Sequence, residues 1–504
     1  MILNLKEKVS RNWLAVIVIL FIFIGLFIRN IHMLQVPFHD WDESIYAQVG
    51  KEITTDKHLN MSYNGFVWLE KPPLFIYMIA VTHLLFGQQV FWPRLITLLM
   101  SVLLFFLTYQ LSKQIVRNLF SKELDKISNL LFQLYCLVPS LALASTGFFT
   151  DRATIINMDI FLATAWMGYF VYRNNFRGKL IFLTLGVMTK SFLGFYPFIL
   201  DLFFNYTILL KPREMLKNSI LIVLPLTWHI CSLLLYGYYF VQQHILDHMF
   251  SRVLEPIELH FGNKNYYFEY LYRDMNWIVI LVGITVVLLA IDVLIRISKQ
   301  KLSFFKNEIN WYYVVLISPI PYLIFLTLSK SKLYWYLYSI TPLFCLSLIY
   351  LLFRIKNKYL MIIFTSIFTI YFFISFLSAT YTQVLIYTPP EKTRLAMCMQ
   401  KIPETNIFFL INNEERIRKN LLEASKMAIQ TSFIYGGSPA FIYYVNKPVH
   451  FIYKPEEILA KYKSIDLLVI NESDFQNSEF TKVRDTFAIK CKEGEWYGLK
   501  RTML

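Results

Sequence analysis

The sequence predicts an all-α polytopic membrane domain, with eleven candidate transmembrane helices and additional juxtamembrane helices, followed by a small C-terminal α/β domain outside the membrane. Three observations predict it. The composition is too apolar for a soluble chain of this length. Long apolar stretches alternate with loops whose charges sort to one side. The last part of the chain is polar and carries short β-type runs.

Of the 504 residues, 56% are hydrophobic and 17% aromatic, with only 16 glycines, a balance that belongs in lipid. The net charge of +15 raises the question of nucleic acid. That partner is set aside, because the sequence has neither a basic patch on a soluble surface nor an RNA-binding motif. Of the five cysteines, Cys136, Cys231 and Cys345 lie within apolar runs, and Cys398 and Cys491 lie in the polar C-terminal part. Nothing in their spacing suggests zinc; a Cys398 to Cys491 disulfide is open to the chain if that part is extracytoplasmic.

At the N-terminus, Lys6, Lys8 and Arg11 precede an apolar run over 13–28 that lacks a small-residue cleavage site, so an uncleaved signal anchor is expected. A bilayer core needs about 20 apolar residues per helix. Candidate stretches run over 13–30, 93–112, 128–148, 158–172, 180–190, 192–210, 218–240, 275–295, 311–328, 334–353 and 359–382. The pair meeting at Thr189-Lys190-Ser191 is expected to form a short hairpin. The stretch 74–86 follows Pro72-Pro73 and contains His83, so it is expected to be an interfacial helix.

With 74–86 left out, alternate loops carry twenty cations against five acids on the side of the N-terminus. The cations are Lys6, Lys8, Arg11, Lys113, Arg117, Lys122, Lys126, Arg173, Arg177, Lys179, Lys211, Arg213, Lys217, Arg296, Lys299, Lys301, Lys306, Arg354, Lys356 and Lys358. That excess equals the whole net charge and places these loops in the cytoplasm of a multi-pass cell (inner or plasma) membrane protein. The opposite face then receives the loop 31–92 and everything after about 383, dividing the chain into a membrane domain (1–385) and an extracytoplasmic domain (386–504). In the latter, strands are expected at 407–410, 432–435 and 466–470, with a helix over 414–428.

The residues suited to chemistry fall on that outer face. His39-Asp40-Trp41-Asp42-Glu43-Ser44-Ile45-Tyr46 opens a helical pattern, with Asp40 or Asp42 able to serve as its cap. Glu70-Lys71-Pro72-Pro73 places a cation at a helix start, an anion site unless the lysine merely snorkels. Further cations are Arg94, Lys190, Arg252 (after His244 and His248), and Lys330 and Lys332 ahead of Tyr336. Cations are disfavoured on this face, so their recurrence calls for an anion at the membrane surface. Asp159, just inside an apolar stretch, is a site candidate or a structural partner of Arg152 or Lys190.

These motifs, in order, resemble the polyprenyl-phosphate-sugar-dependent glycosyltransferases of the GT-C fold, notably the lipid A aminoarabinose transferases and protein O-mannosyltransferases. The matching pieces are Asp42-Glu43 with Tyr46, Glu70-Lys71-Pro72-Pro73, Asp159, Gly186-Val187-Met188-Thr189-Lys190, His248 with Arg252, Lys332-Leu333-Tyr334-Trp335-Tyr336 and the stretch 438–449. Two positions depart from the family pattern: Ile45 stands where an arginine is frequent, and Ile160 follows Asp159 where a proline is common nearby.

The resemblance implies an inverting hexosyl or pentosyl transfer from a polyprenyl-phosphate-linked donor to a glycolipid, protein or wall-polymer acceptor, with membrane lipid around the chain. Asp42 would act as general base or orient the acceptor, with Glu43 and Asp159 shaping the site. Glu70, Lys71, Arg94, Lys190, His248, Arg252, Lys330, Lys332 and Tyr336 would bind the donor, with the cations Lys71, Lys190, Arg252 and Lys332 on its phosphate. Hard-cation ligands are present without a diagnostic spacing, which leaves a divalent metal open.

Two competing classes make different demands. A transporter or flippase of lipid-linked sugars would place polar residues at the bilayer midplane in repeated halves, whereas here they cluster at outer helix ends. A receptor displaying the C-terminal domain would leave the cationic loop tips without a role.

Overall fold

The structure is a computed structural model and describes residues 12–121, 128–204, 212–256, 260–300, 311–355, 357–414, 416–417 and 435–502. Within them, each expected apolar stretch is helical over most of its length. Among the described residues five helices are long and apolar enough to cross a membrane: Trp13–Gln35, Phe91–Leu119, Phe176–Phe204, Trp311–Leu328 and Tyr359–Ile386. Two bent pairs bring the number up to seven if each is one broken span and not a re-entrant loop: Glu214–Val223 with Thr227–Tyr236 at 52°, and Tyr266–Met275 with Ile278–Asp292 at 117°. Three further expected spans are short, at Asn129–Ala144, Met158–Val171 and Thr341–Phe353. Residues Met158 to Phe170 are all buried, so this helix sits among other helices and need not match the length of the lipid core.

The run Phe176–Phe204 is helical throughout except for a sharp reversal after Lys190. A Cβ on Gly194 would lie 2.3 Å from Val187 N, and Asp201 accepts from Lys179 on the opposite limb and from Arg173 in the turn ahead of it. Despite its length the run is therefore a hairpin, as the short limbs on either side of Lys190 predict.

The loop 31–92 carries two helices, Asp42–Thr55 and Leu74–Phe86. They cross closely because Gly50 has no side chain: a Cβ there would lie 2.9 Å from Ile79 Cγ2 and 3.2 Å from Ala80 N.

The C-terminal region forms a five-stranded mixed sheet in the order Val449–Ile452, Ile407–Leu410, Leu467–Asn471, Trp496–Arg501, Phe487–Glu493. The first three strands are parallel and the last two antiparallel to their neighbours. Strands expected at 407–410 and 466–470 are present. Tyr435 stands in a short helical turn, not a strand; the rest of 432–435 and most of 414–428 lie outside the described residues. A disulfide joins Cys398 to Cys491, with Cα atoms 6.1 Å apart. This region shares a hydrophobic core with the loop 31–92, in which Phe38, Tyr46, Trp68 and Phe75 belong to one cluster with Phe409, Phe441 and Trp496.

Candidate active site

A cavity of about 530 Å³ lies between the helical bundle and the C-terminal sheet. The start of helix Asp42–Thr55 and the turn at Glu70-Lys71 form part of its wall, with residues 152–159 and Lys190. His248, Arg252, Trp335 and Tyr336 close another side, and Ile411, Tyr435-Gly436-Gly437 and Tyr453 cover it from the C-terminal region.

Neither Asp40 nor Asp42 caps the helix it precedes or begins. The cap position is Trp41, which has φ +67° and makes no side-chain cap bond. Such a backbone is strained for a tryptophan, and strain of this kind collects at functional sites. Asp40 reaches instead into the C-terminal region, accepting from Ala440 N–H and Ser438 O–H at 2.9 Å each.

The next two carboxylates diverge. Glu43 is locked: Oε1 accepts from Arg94 Nε at 2.8 Å and Ile156 N–H at 3.0 Å, and Oε2 from Arg94 Nη2 at 2.8 Å and His39 N–H at 2.7 Å. Asp42 faces the cavity, open to solvent there, and among the described residues no hydrogen bond or ion pair is made to its carboxylate. The surrounding protein desolvates it and raises its pKa, against the opposing pull of Lys71; Asp159 raises it further, and Lys190 and Arg152 counter.

Cations gather around this carboxylate. Lys71 is desolvated and faces Arg252, which together push its pKa down to about 8 against the pull of Glu70 and Asp42. Burial raises the pKa of Glu70 itself, but His248 Nε2, 2.8 Å away, and Lys71 overcome this and hold it at about 2. Arg252 Nη1 donates to the Tyr336 hydroxyl at 3.2 Å, and Lys190 Nζ lies 5.5 Å from the centre of the same ring while pairing with Asp159. Two cations that disfavour one another across a cavity are an arrangement that a bound anion would relieve.

The structure thus brings Asp42, Glu43, Glu70, Lys71, Asp159, Lys190, His248, Arg252 and Tyr336 to one cavity. It places Arg94, Lys330 and Lys332 outside the lining. Arg94 is fully buried and, besides Glu43, donates to the carbonyls of Met33, Val36 and Pro37. Lys332 donates to the Leu326 and Thr327 carbonyls at 3.1 and 2.6 Å, neutralising the C-terminal end of helix Pro319–Leu328. Lys330 is exposed, and its backbone N–H donates to Val253 O.

Lining residues outside the expected set include Arg152, His260, Tyr435 and Tyr453. A sequence signal existed for one part of this wall, the glycine pair Gly436-Gly437, both at positive φ, just ahead of the stretch 438–449. Among the described residues no group of three or more His, Cys, Asp or Glu side chains converges as a metal cage.

The helical membrane bundle with its small C-terminal sheet has an ArnT-like fold. The chain superposes on the crystal structure of ArnT from Cupriavidus metallidurans bound to undecaprenyl phosphate with a TM-score of 0.64, covering 97% of each chain at 12% identity. The apo state of ArnT from the same organism gives 0.62 over 97% of this chain and 98% of that one, at 13% identity. In sequence, an uncharacterized protein of Aquifex aeolicus (strain VF5) is 27% identical over 209 residues, which span 41% of this chain and only 39% of that relative. No protein-family profile matches the chain.

Proposed function

We propose that this chain is an integral-membrane, inverting glycosyltransferase that moves a sugar from a polyprenyl-phosphate donor to a lipid A-like glycolipid, a protein or a wall polymer on the extracytoplasmic face. The observation that carries the reading is the Asp42 carboxylate, unpartnered among the described residues, in a cavity whose cations Lys71, Arg252 and Lys190 surround it. The shared fold with a transferase crystallised on undecaprenyl phosphate supports it.

In this reading the donor phosphate lies between Lys71 and Arg252, with the Tyr336 hydroxyl beside Arg252. The acceptor oxygen attacks the anomeric carbon from the side opposite the phosphate as the bond from that carbon to the phosphate oxygen breaks. The electron pair leaves with the polyprenyl phosphate, where the cations stabilise it. The acceptor proton passes to Asp42, whose raised pKa strengthens it as a base. Glu43 holds Asp42 in place through Arg94, and Asp159 orients Lys190.

Residues 1–385 form the membrane domain and 386–504 the outer domain. A Cys398–Cys491 disulfide suits an oxidising, extracytoplasmic compartment.

The test is transfer in membranes supplied with labelled polyprenyl-phosphate sugar. Wild type transfers label, and Asp42→Asn, present at normal abundance, does not. Transfer from a nucleotide sugar in the absence of any lipid carrier would overturn the donor assignment.

A further inference from the structure

A buried hydrogen-bond chain behind the cavity belongs to none of the motifs described above. Ser191, directly after Lys190, has φ +55°, a conformation natural to glycine and strained for serine. Its hydroxyl lies 2.9 Å from His229 Nε2 and 3.0 Å from His244 Nε2, with Met249 Sδ a weaker neighbour at 3.7 Å. All three residues of the chain are buried. On the other side of the ring, His244 Nδ1 is 3.0 Å from the carbonyl of Leu69, the residue before Glu70-Lys71.

The direction of these bonds follows from the partners. A carbonyl only accepts, so His244 Nδ1 carries the proton and, in a neutral ring, Nε2 is bare. Burial favours the neutral ring, lowering the His244 pKa to about 3, helped by His229, His248 and Lys71 and opposed by the Leu69 carbonyl. Ser191 O–H then donates to His244 Nε2, and the same oxygen accepts from His229 Nε2–H. The ring of His244 is held in place by Phe240, stacked at 5.1 Å, and Trp228, edge-on at 5.2 Å.

We infer that Ser191, His244 and His229 are positioning residues that tie the tip of the Lys190 hairpin to the Leu69-Glu70-Lys71 turn, setting the spacing of the two lysines across the cavity. Lys190 and Lys71 stand on separate elements, and a second bond, from Leu69 N–H to Gln243 Oε1 at 3.2 Å, joins the same turn to the segment that carries His244. A glycine at 191 would suit the backbone; the serine keeps its strain because its hydroxyl makes the connection. The inference rests on the proposed function for its effect on turnover and on the hydrogen bonds alone for its effect on structure.

Two arms test it on the full-length protein in lipid nanodiscs. In the first, Ser191→Gly relieves the strain and deletes the hydroxyl, while His244→Asn keeps a donor for Leu69 and cuts the bond to Ser191. Backbone hydrogen exchange is expected to rise in both variants over 189–195 and also over 68–72. Unchanged exchange over 68–72 overturns the inference whatever the activity.

The second arm measures transfer from labelled polyprenyl-phosphate sugar. Each single variant is expected to lower kcat on the order of tenfold, with donor KM nearly unchanged, as displacement of a charged group does. The double variant is expected to lose no more than either single one, because both cut the same link. Losses that multiply, or a Ser191→Gly enzyme with wild-type kcat, overturn it. If the wild type transfers nothing, the proposed function falls, and the exchange arm still decides the positioning role.

Discussion

Asp42 and Glu43 are neighbours in sequence and opposites in environment. Consecutive helical residues point about 100° apart, so one carboxylate enters the cavity while the other turns into the protein. Glu43 has four hydrogen bonds and a buried guanidinium; Asp42 has neither among the described residues. A buried carboxylate with every lone pair satisfied holds structure together, whereas one left to solvent in a cavity among cations is available for chemistry. The same contrast separates the lysines. Lys332 spends its protons on helix-end carbonyls, while among the described residues no hydrogen bond or ion pair is made by Lys71.

The largest effect expected from this contrast is on activity alone. Asp42→Asn should lower transfer on the order of 10³-fold, within the range of a lost general base, and leave thermal unfolding close to wild type. A comparable loss of folded protein in this variant would erase the distinction between the two carboxylates. Glu43→Gln should do the reverse, leaving Arg94 buried and half-paired at a cost of about 3–5 kcal/mol, read as a lower unfolding temperature and a smaller yield of folded protein.

The lysine comparison is sharpened by pH. Lys71 has its pKa at about 8 instead of 10.5, so it is charged below that value and neutral above it. With the proposed donor bound through its phosphate, kcat/KM should fall as pH rises through about 8. The same shift means that the unliganded protein gains stability as pH rises from about 8 towards 10.5, since the charged lysine is disfavoured in the folded state. Lys71→Arg, charged throughout, should move the alkaline limb upward. Lys332→Arg should leave it in place, and a pH profile moved by Lys332→Arg would break the comparison.

The smallest effect belongs to Asp40, which joins the outer loop to Ser438 and Ala440. Asp40→Ala should cost about 1–2 kcal/mol, as loss of a helix cap does, measurable as earlier unfolding of the C-terminal region and a modest rise in acceptor KM.

Much of this was legible because residue type already constrains place. Apolar length marks the helices, and carboxylates or lysines near apolar ends demand partners wherever they fall. The prolines after Lys71 and the short limbs around Lys190 were readable from the residues themselves, and the Asp42-Glu43-Tyr46 motif through its resemblance to a known family. The spans were less so, since a helix such as Met158–Val171 falls short of the bilayer and is buried among its neighbours.

What remained was pairing, and pairing is a property of distance in space. Nothing in the order of residues told Arg94 from Arg252, yet the first closes on Glu43 and three carbonyls while the second faces the cavity. Nor did it connect Ser191 with His229 and His244, or Leu69 with a histidine 175 positions away. The sequence by itself determined which elements form and which side chains can carry charge, because hydropathy and backbone chemistry act locally. Only the tertiary structure decided which of those charges are satisfied, because a buried charge finds its partner through packing between distant segments.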